Sequence, residues 1–396
     1  MKFLKYLLFT IVAISLATLA ACGGSSGSTD ESISKTGTLS VAMVDATTDE
    51  YKAVYVTVAR VDVHRGDNTD GSWKTVAEPY GTYNLLDLIN GVRAELGQGL
   101  LSVGNYTQLR MIIADAPDEG VNLLNRAHPY ANYIITADDE EIKLDKIPSG
   151  AQTGIKIVGG FDINENQTTE LILDFDAHRS IVRAGVKEKN IKYLLKPTIK
   201  ILETREAAIV AGAVTDTLAG ALGPNPLQGT TISAQTTDLL ADDPKNQVVI
   251  TTGTISNDRG EYAMFLAPGT YNLVAYKADH DSACKFVELP VAGSATVDFA
   301  LANTTAERYS ISGTVTIQNA DPEQYVVINI RQQIPCEGAD EDQTIIVRAI
   351  TVANNDAYEV ELAAGEYEVI ALTYGRATQV TTVDIESSNA EADFTF

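Results

Sequence analysis

The feature that most constrains this chain is that its C-terminal half is written twice. Around Tyr262 it reads GEYAMFLAPGTYNLVAY, and 96 residues later it reads DAYEVELAAGEYEVIAL, so Tyr262, Gly269 and Tyr271 correspond to Tyr358, Gly365 and Tyr367. Each copy opens on a similar strand, Gly212-Ala213-Val214-Thr215 and Gly313-Thr314-Val315-Thr316. Each closes alike, on Val297-Asp298-Phe299 and Ala392-Asp393-Phe394. Self-similarity over such a distance marks one folding unit used twice, and the alternating apolar residues make that unit β.

The first half of the chain alternates in the same way. Leu39, Val41 and Met43, then Val54, Val56 and Val58, Leu109, Met111 and Ile113, and Leu171, Leu173 and Phe175 each place apolar side chains on one face of a strand. Between Val58 and Val61 the phase changes, which predicts a bulge near Ala59-Arg60. The segment Leu85 to Leu101 offers the one helical pattern, kept short by Gly91, Gly97 and Gly99. About eight or nine strands, ending at Tyr193 to Leu202, are expected here.

A shorter signature links all three parts. Leu101-x-x-Gly104-x-Tyr106, Leu266-x-x-Gly269-x-Tyr271 and Leu362-x-x-Gly365-x-Tyr367 share the form L-x-x-G-x-Y. Glycine supplies the backbone angle of a tight corner, and a tyrosine two residues on can bury its ring while its hydroxyl bonds to the main chain, as in the tyrosine corner of Greek-key sandwiches.

The N-terminus carries an address. Lys2 and Lys5 precede an apolar run from Leu7 to Leu19 that ends in Leu19-Ala20-Ala21-Cys22. Such a run is a removable signal, too short to cross a bilayer core of about 30 Å with ease. The ending resembles the lipobox of bacterial lipoproteins, which implies cleavage before Cys22 and lipidation of that residue. Gly23 follows, and by resemblance to Gram-negative lipoproteins the absence of Asp there implies the outer membrane, facing either the periplasm or the cell surface. Residues 23–36 then read as a flexible tether. The tether contains Gly23-Gly24-Ser25-Ser26-Gly27, a literal G-x-S-x-G, but a nucleophile elbow needs a buried strand before it and a helix after it.

Composition bounds the partners. The chain has 29 Lys+Arg against 53 Asp+Glu, a net charge of -24. Residues 37–204 carry 24 acids and 17 bases, whereas residues 205–396 carry 27 acids and only 9 bases. This charge repels a phosphate backbone, so nucleic acid is excluded as an expected partner. Solvated strand faces account for the acidity, and a cation-binding surface is the functional alternative.

Two family resemblances follow from longer stretches. GTLSVAMVDATTDEYKAVYVTVARVDVH, WKTVAEP, YNLLDLINGV, GNYTQLRMII, HPYANYIITA, GIKIVGGFDINENQTTELILDFDA and LLKPTIKIL together resemble the domain of unknown function 4382 of bacterial lipoproteins, over about Gly37 to Leu202. The two repeats resemble the carboxypeptidase regulatory-like, transthyretin-like sandwich, also called a carbohydrate-binding-like fold. In the second copy Asn355-Asp356-Ala357 replaces the Asp258-Arg259-Gly260 turn. Neither resemblance implies a catalytic site. The expected fold is mainly β, a β-sandwich module (37–204) followed by two Greek-key, transthyretin-like β-sandwiches (205–304 and 305–396).

Motifs for chemistry are sparse. The four histidines, His64, His128, His178 and His280, do not stand at helical zinc-ligand spacing, and phosphate-cradling glycine loops are missing. Calcium is the chemical alternative, since hard cations need clustered oxygens. Asp162-Ile-Asn164-Glu-Asn166 begins like a calcium loop but has Gln167 and Leu173 where Gly and Glu are wanted, so a hairpin turn is expected there. Asp115 with Asp118, and Asp174 with Asp176, are the other metal candidates. Cys284 and Cys336 lie in different repeats, and an exported compartment permits a disulfide between them.

The expected role is binding or scaffolding by a lipid-anchored protein without catalysis, with the membrane and an envelope protein or glycan as partners. Carbohydrate binding by the repeats is one alternative. An enzyme in residues 37–204 is another, and it requires Asp45, His64, Asp115, Asp174 and His178 to share a pocket.

Overall fold

The computed structural model describes residues 35–46, 48, 50–67, 72–145, 153–184, 192–220, 223–303, 307–320 and 324–396. The expected signal, Cys22 and nearly all of the tether lie outside the described residues. Among them the chain is mainly β, and its sheets fall within three stretches, 36–203, 208–301 and 308–395.

The first stretch is two sheets face to face. A four-stranded sheet runs in the order Ile199–Glu203, Thr168–Asp176, Thr36–Ala46, Ala94–Ser102. A nine-stranded sheet is centred on the long strand Ala53–Arg65, with Asn132–Ile135 and Gly104–Ile113 among its neighbours. The alternating residues build the core between them. Leu39, Val41, Met43, Leu171, Leu173 and Phe175 from one sheet meet Val54, Val56, Val58, Leu109 and Met111 from the other. Burying a side chain of this kind contributes about 1.5–3 kcal/mol, which is why the period-two pattern fixes which face points inward. The register shifts between Val58 and Arg60, so the bulge stands where the change of phase puts it.

Three expectations need correction. The expected helix over 85–101 is only a 3-10 turn, Leu85–Asp87, followed by the strand Ala94–Ser102. That strand pairs antiparallel with Thr36–Ala46 and buries Leu96 and Leu101, while Gly99 passes so close to Val76 that a Cβ would meet its carbonyl oxygen at 2.8 Å. The expected hairpin at 162–167 is a corner between sheets. Ile155–Ile163 belongs to the nine-stranded sheet and Thr168–Asp176 to the four-stranded one, and Thr169 ties the corner by donating its hydroxyl to the Asp162 carbonyl at 2.8 Å. The strand count is thirteen among the described residues rather than eight or nine, because short strands such as Lys74–Ala77 and Gly81–Asn84 dock on Ala53–Arg65.

The repeats share the pairing of their main strands, and among the described residues the first alone adds a short strand, Gly223–Pro226, beside Ala208–Gly220. In the first, Ala208–Gly220 pairs antiparallel with Glu261–Leu266 and parallel with Ser294–Thr296 and Phe299–Leu301. In the second, Arg308–Thr316 pairs antiparallel with Ala357–Ala363 and parallel with Ala390–Glu391 and Phe394–Thr395. The opposing sheets are also equivalent, Val248–Ile255, Thr231–Thr237, Gly269–Tyr276, Ala283–Leu289 in one and Gln343–Ala353, Tyr325–Ile334, Glu366–Leu372, Gln379–Asp384 in the other.

Local chemistry explains the shared letters. The hydroxyls of Tyr106, Tyr271 and Tyr367 donate to the carbonyls of Ser102, Ala267 and Ala363, each four residues upstream, at 3.1, 2.9 and 3.0 Å. Gly104, Gly269 and Gly365 carry φ of 147°, 149° and 159° at these corners. The closing motif works by a second device. Asp298 and Asp393 accept from the amides of Ala213 and Thr314 at 2.8 and 2.6 Å, and the hydroxyls of Tyr262 and Tyr358 donate to the carbonyls of Val297 and Ala392.

Candidate functional site

The strand Val248–Ile255 lies at the edge of its own sheet, and its open side is engaged by side chains of the first module. Asn90 donates through Nδ2 to the Ile255 carbonyl at 2.9 Å and accepts from the Thr254 hydroxyl at 3.1 Å. Arg179 donates through Nη2 to the Ile250 carbonyl at 2.8 Å, and Lys200 donates through Nζ to the Thr251 carbonyl. Asp174 takes the hydroxyl of Thr252. The register to Thr231–Thr237 shifts between Ala234 and Gln235, which leaves Thr251 without a Cα partner, and Lys200 reaches this residue. An unpaired strand edge is a liability, and here ordinary polar side chains close it.

The first module positions these groups with its strand ends. Thr36–Ala46 and Thr168–Asp176 run parallel, ending at Ala46 opposite Asp176. Asp176 caps the one-turn helix Ala177–Ser180, accepting from the Arg179 amide at 2.9 Å, and its other oxygen lies 3.5 Å from Arg179 Nε. Asp45 Oδ1 accepts from the Ala177 amide at 3.0 Å, while its Oδ2 is buried with no hydrogen-bond partner in the described protein. Lys200 stands opposite Asp174 on the neighbouring strand.

Burial governs the ionisation of this group. Asp45 is held well above the usual carboxylate range by desolvation, relieved in part by the Ala177 amide and reinforced by Asp176 and Asp174. Asp174 is pushed up to about 7 by desolvation and by Asp176, against the Thr252 hydroxyl and Lys200. It lies deep among protein atoms yet keeps some contact with solvent along a small cavity shared with Asp45, Asn90, Thr252 and Thr254. Burial and Arg179 pull Lys200 below the usual lysine range, and Asp174 and Asp176 oppose them.

The second repeat completes the site. Gln235 donates to the Ile346 carbonyl at 2.7 Å and accepts from the Ile346 amide at 2.8 Å, so one buried side chain joins the two repeats at a strand. Arg348 stacks on the Tyr276 ring at 5.4 Å. The three modules thereby border a small open cleft of about 70 Å³, bounded by Asp176, His178 and Arg179 of the first, Thr231, Ser233 and Tyr276 of the second, and Ile346 to Ala349 of the third. Hydroxyls, guanidinium groups, an imidazole and apolar strand residues line one concavity where the three modules meet.

The other candidates are dispersed. Asp115 borders a separate surface cavity with Tyr130 and Lys143. Asp118 holds a turn, accepting from the Thr82 and Gly120 amides at 2.8 and 2.9 Å; burial pushes it up, but these bonds and His128 outweigh that and hold it below the usual range. His64 lies beside Trp73, with ring centres 5.4 Å apart, and Arg110 stacks on Trp73 at 4.4 Å. The five residues of the enzyme alternative therefore do not share a pocket. Asp45 and Asp174 border the small cavity, His178 the cleft, Asp115 another surface, and His64 a fourth place. Among the described residues no group of three or more His, Cys, Asp or Glu is arranged to hold a metal ion. The repeat tyrosines 262, 271, 358 and 367 are buried corner and closing residues, so they offer no sugar platform.

Cys284 and Cys336 are joined as a disulfide, with Cα atoms 4.6 Å apart. Beside it the Phe286 amide donates to the Glu337 carbonyl at 2.8 Å, the Glu337 amide to the Cys284 carbonyl at 3.0 Å, and Lys285 pairs with Glu337 at 2.6 Å. Sequence reasoning missed Asn90, Arg179, Lys200 and Arg348, which carry no motif. The one local signal was Asn90-Gly91, a turn pair whose two residues both have positive φ.

Residues 36–197 match the family model described as a domain of unknown function (DUF4382). No curated protein matches the chain. Among solved structures it is similar to the Bacillus anthracis TIE protein, with 11% identity and a TM-score of 0.20, over 91% of this chain and 50% of that one, so it spans half the length of that protein. It is also similar to the shaft pilin SpaA from Lactobacillus rhamnosus GG, with 12% identity and a TM-score of 0.19, over 48% of this chain and 97% of that one. A streptococcal ancillary pilin matches at 10% identity and a TM-score of 0.20, over 91% and 99%.

Proposed function

We propose that this protein is a lipid-anchored binding or scaffolding protein of the outer membrane, without catalytic activity, and that it engages its partner at the cleft between the three modules. Cys22 carries the anchor in this reading, and the two repeats act as carboxypeptidase regulatory-like, transthyretin-like sandwiches. The observation that carries the proposal is the wiring of three sandwiches around one shared cleft, while the residues that could have formed a catalytic constellation lie in separate places. Side chains held on strands and locked by their own hydrogen bonds suit recognition, because little ordering remains to be done on binding. The expected partner is an envelope protein or a glycan, and the charge of the repeats disfavours nucleic acid.

The test is capture from intact envelopes by the full-length protein, beside a variant in which Ser233→Leu fills the cleft. The partner recovered by the wild type is expected to be lost from the variant. Equal capture by both would move the binding surface elsewhere. Hydrolysis of peptides, esters or glycans that a single cleft substitution abolished would replace the reading with an enzyme. Palmitate labelling that persists in Cys22→Ala would remove the anchor.

A further inference from the structure

The contact between the first module and the first repeat contains a carboxyl group that must lose most of its solvent for the contact to be made. Asp174 sits on the outward side of the four-stranded sheet, where Val248–Ile255 closes over it and Thr252 gives it one hydroxyl. The titratable and charged groups around it come from the first module alone: Asp176 on its own strand, Asp45 on the parallel neighbour, Lys200 opposite, and Arg179 with His178 on the one-turn helix. Arg179 and Lys200 are both spent on carbonyls of the strand that covers it. The covering strand brings no charge of its own. In Glu261–Leu266 behind it, the one acid, Glu261, is held outward by Arg259 at 2.7 Å, and Arg348 enters the cleft from the second repeat.

We infer that Asp174 makes this junction a proton-controlled contact, closed when Asp174 is protonated and loosened when it ionises, so that protons regulate access to the cleft. The consequence for the cleft rests on the binding reading above; the protonation itself does not, since it is read without any ligand. The direction follows from the two states. Closed, Asp174 holds its proton up to about pH 7. Opened to water, it would titrate near an ordinary aspartate, at about 3.9. Between these values the closed form binds the extra proton, so closure is favoured in acid and lost as pH rises through about 7. The opening constant is expected to rise about 10-fold between pH 6 and pH 8.

Amide hydrogen exchange over residues 248–255 of the full-length protein, corrected for the intrinsic rate at each pH, reads the opening directly. The wild type should lose about 10-fold in protection from pH 6 to 8. Asp174→Asn, which keeps the shape and removes the proton, should stay protected and flat across that range. Thr252→Val removes a hydrogen bond that favours the ionised form and should move the midpoint to higher pH. A flat wild-type profile, or an Asp174→Asn profile that keeps the wild-type midpoint, overturns the inference. If Asp174→Asn fails to fold, as an altered melting profile would reveal, the shift in Thr252→Val decides alone, and an unmoved midpoint there is equally fatal. Failure of capture at the cleft with these profiles intact would refute the binding reading and leave the proton contact standing.

Discussion

Gly212 and Gly313 hold equivalent places in the two repeats, and replacing each by alanine makes the same experiment twice in one molecule. A Cβ on Gly212 would lie 1.9 Å from the Val297 carbonyl oxygen, and one on Gly313 would lie 2.0 Å from that of Ala392. Both neighbours are backbone, so a rotamer change cannot relieve the contact. The parallel strands must part by more than an ångström instead. Parting removes the bond from the Val297 amide to the Ala211 carbonyl at 2.8 Å, the one from the Ala392 amide to the Ser312 carbonyl at 2.8 Å, and the hydroxyl contacts of Tyr262 and Tyr358. Two buried groups left unpaired at roughly 1–3 kcal/mol each place the loss near 4 kcal/mol per site. For a domain of this size that lowers melting by roughly 15–30 °C. Scanning calorimetry of the full-length protein should show one repeat transition moved in each variant, while the fluorescence of Trp73, the sole tryptophan, in the first module, stays unchanged. Gly375→Ala is the control: it has φ 72° and nothing within 4 Å, so it should lose only about 1 kcal/mol. If Gly212→Ala and Gly313→Ala behave like that control, or if only one of them is damaging, the equivalence of the two copies is wrong.

Removing the corner hydroxyl in Tyr106→Phe, Tyr271→Phe or Tyr367→Phe should lower the stability of its own module by about 1 kcal/mol in urea titration, and silence at all three would mean the hydroxyls are decorative. Asp62 is buried between Arg60, Arg110 and Thr75; burial pushes its carboxyl up, but the bonds from Thr75, Arg110 and Arg60 outweigh this and hold it below the usual range. A depressed carboxyl stabilises above its unfolded value of about 3.9 and gives that up as pH falls below it. Asp62→Asn should therefore lose about 2 kcal/mol at neutral pH and show a shallower loss in acid, followed by the emission of Trp73, on which Arg110 stacks. Exchanging both Cys284 and Cys336 for serine opens a link across 52 residues, which should lower repeat stability by about 4 kcal/mol in a chain-entropy account; an unchanged calorimetric profile would contradict it.

What could be read from the sequence is what local chemistry decides. L-x-x-G-x-Y places a glycine corner and a hydroxyl within four residues of its acceptor, and Asp298 with Phe299 does its work against one neighbouring strand, so both survive as letters repeated in order. The errors came where two outcomes share the same local chemistry. Asn164 to Gln167 turns the chain whether the next strand pairs with the last one or crosses to the other sheet, and the turn does not know which. The leucines of 85–101 suit a short helix, but a strand that must slide past Val76 needs glycine at position 99 more than it needs helical spacing. The junction was illegible for another reason. Asn90 meets its partners 164 and 165 residues away, and Arg179 meets Ile250 across 71. Each is a common polar residue whose role exists only once the modules have docked.

The same docking explains why cleft and proton share a place. The first module closes the open edge of Val248–Ile255 with four polar side chains instead of another strand or an apolar patch. Such an edge gains satisfied carbonyls without merging two cores into one, so the contact is weaker than a fused core and responds to charge. Protonation can shift it only because Asp174 interacts differently with the two states, and any ligand that prefers the closed cleft must favour the protonated form by the same free energy. Thr252 is where the two meet: its side chain serves Asp174, and its strand forms a wall of the cleft. A site built in the middle of one sandwich could not be tuned in this way, since changing it would cost the core of that module. Placing it where the core of the first module stays separate from that of the first repeat leaves both cores intact whichever way the junction moves.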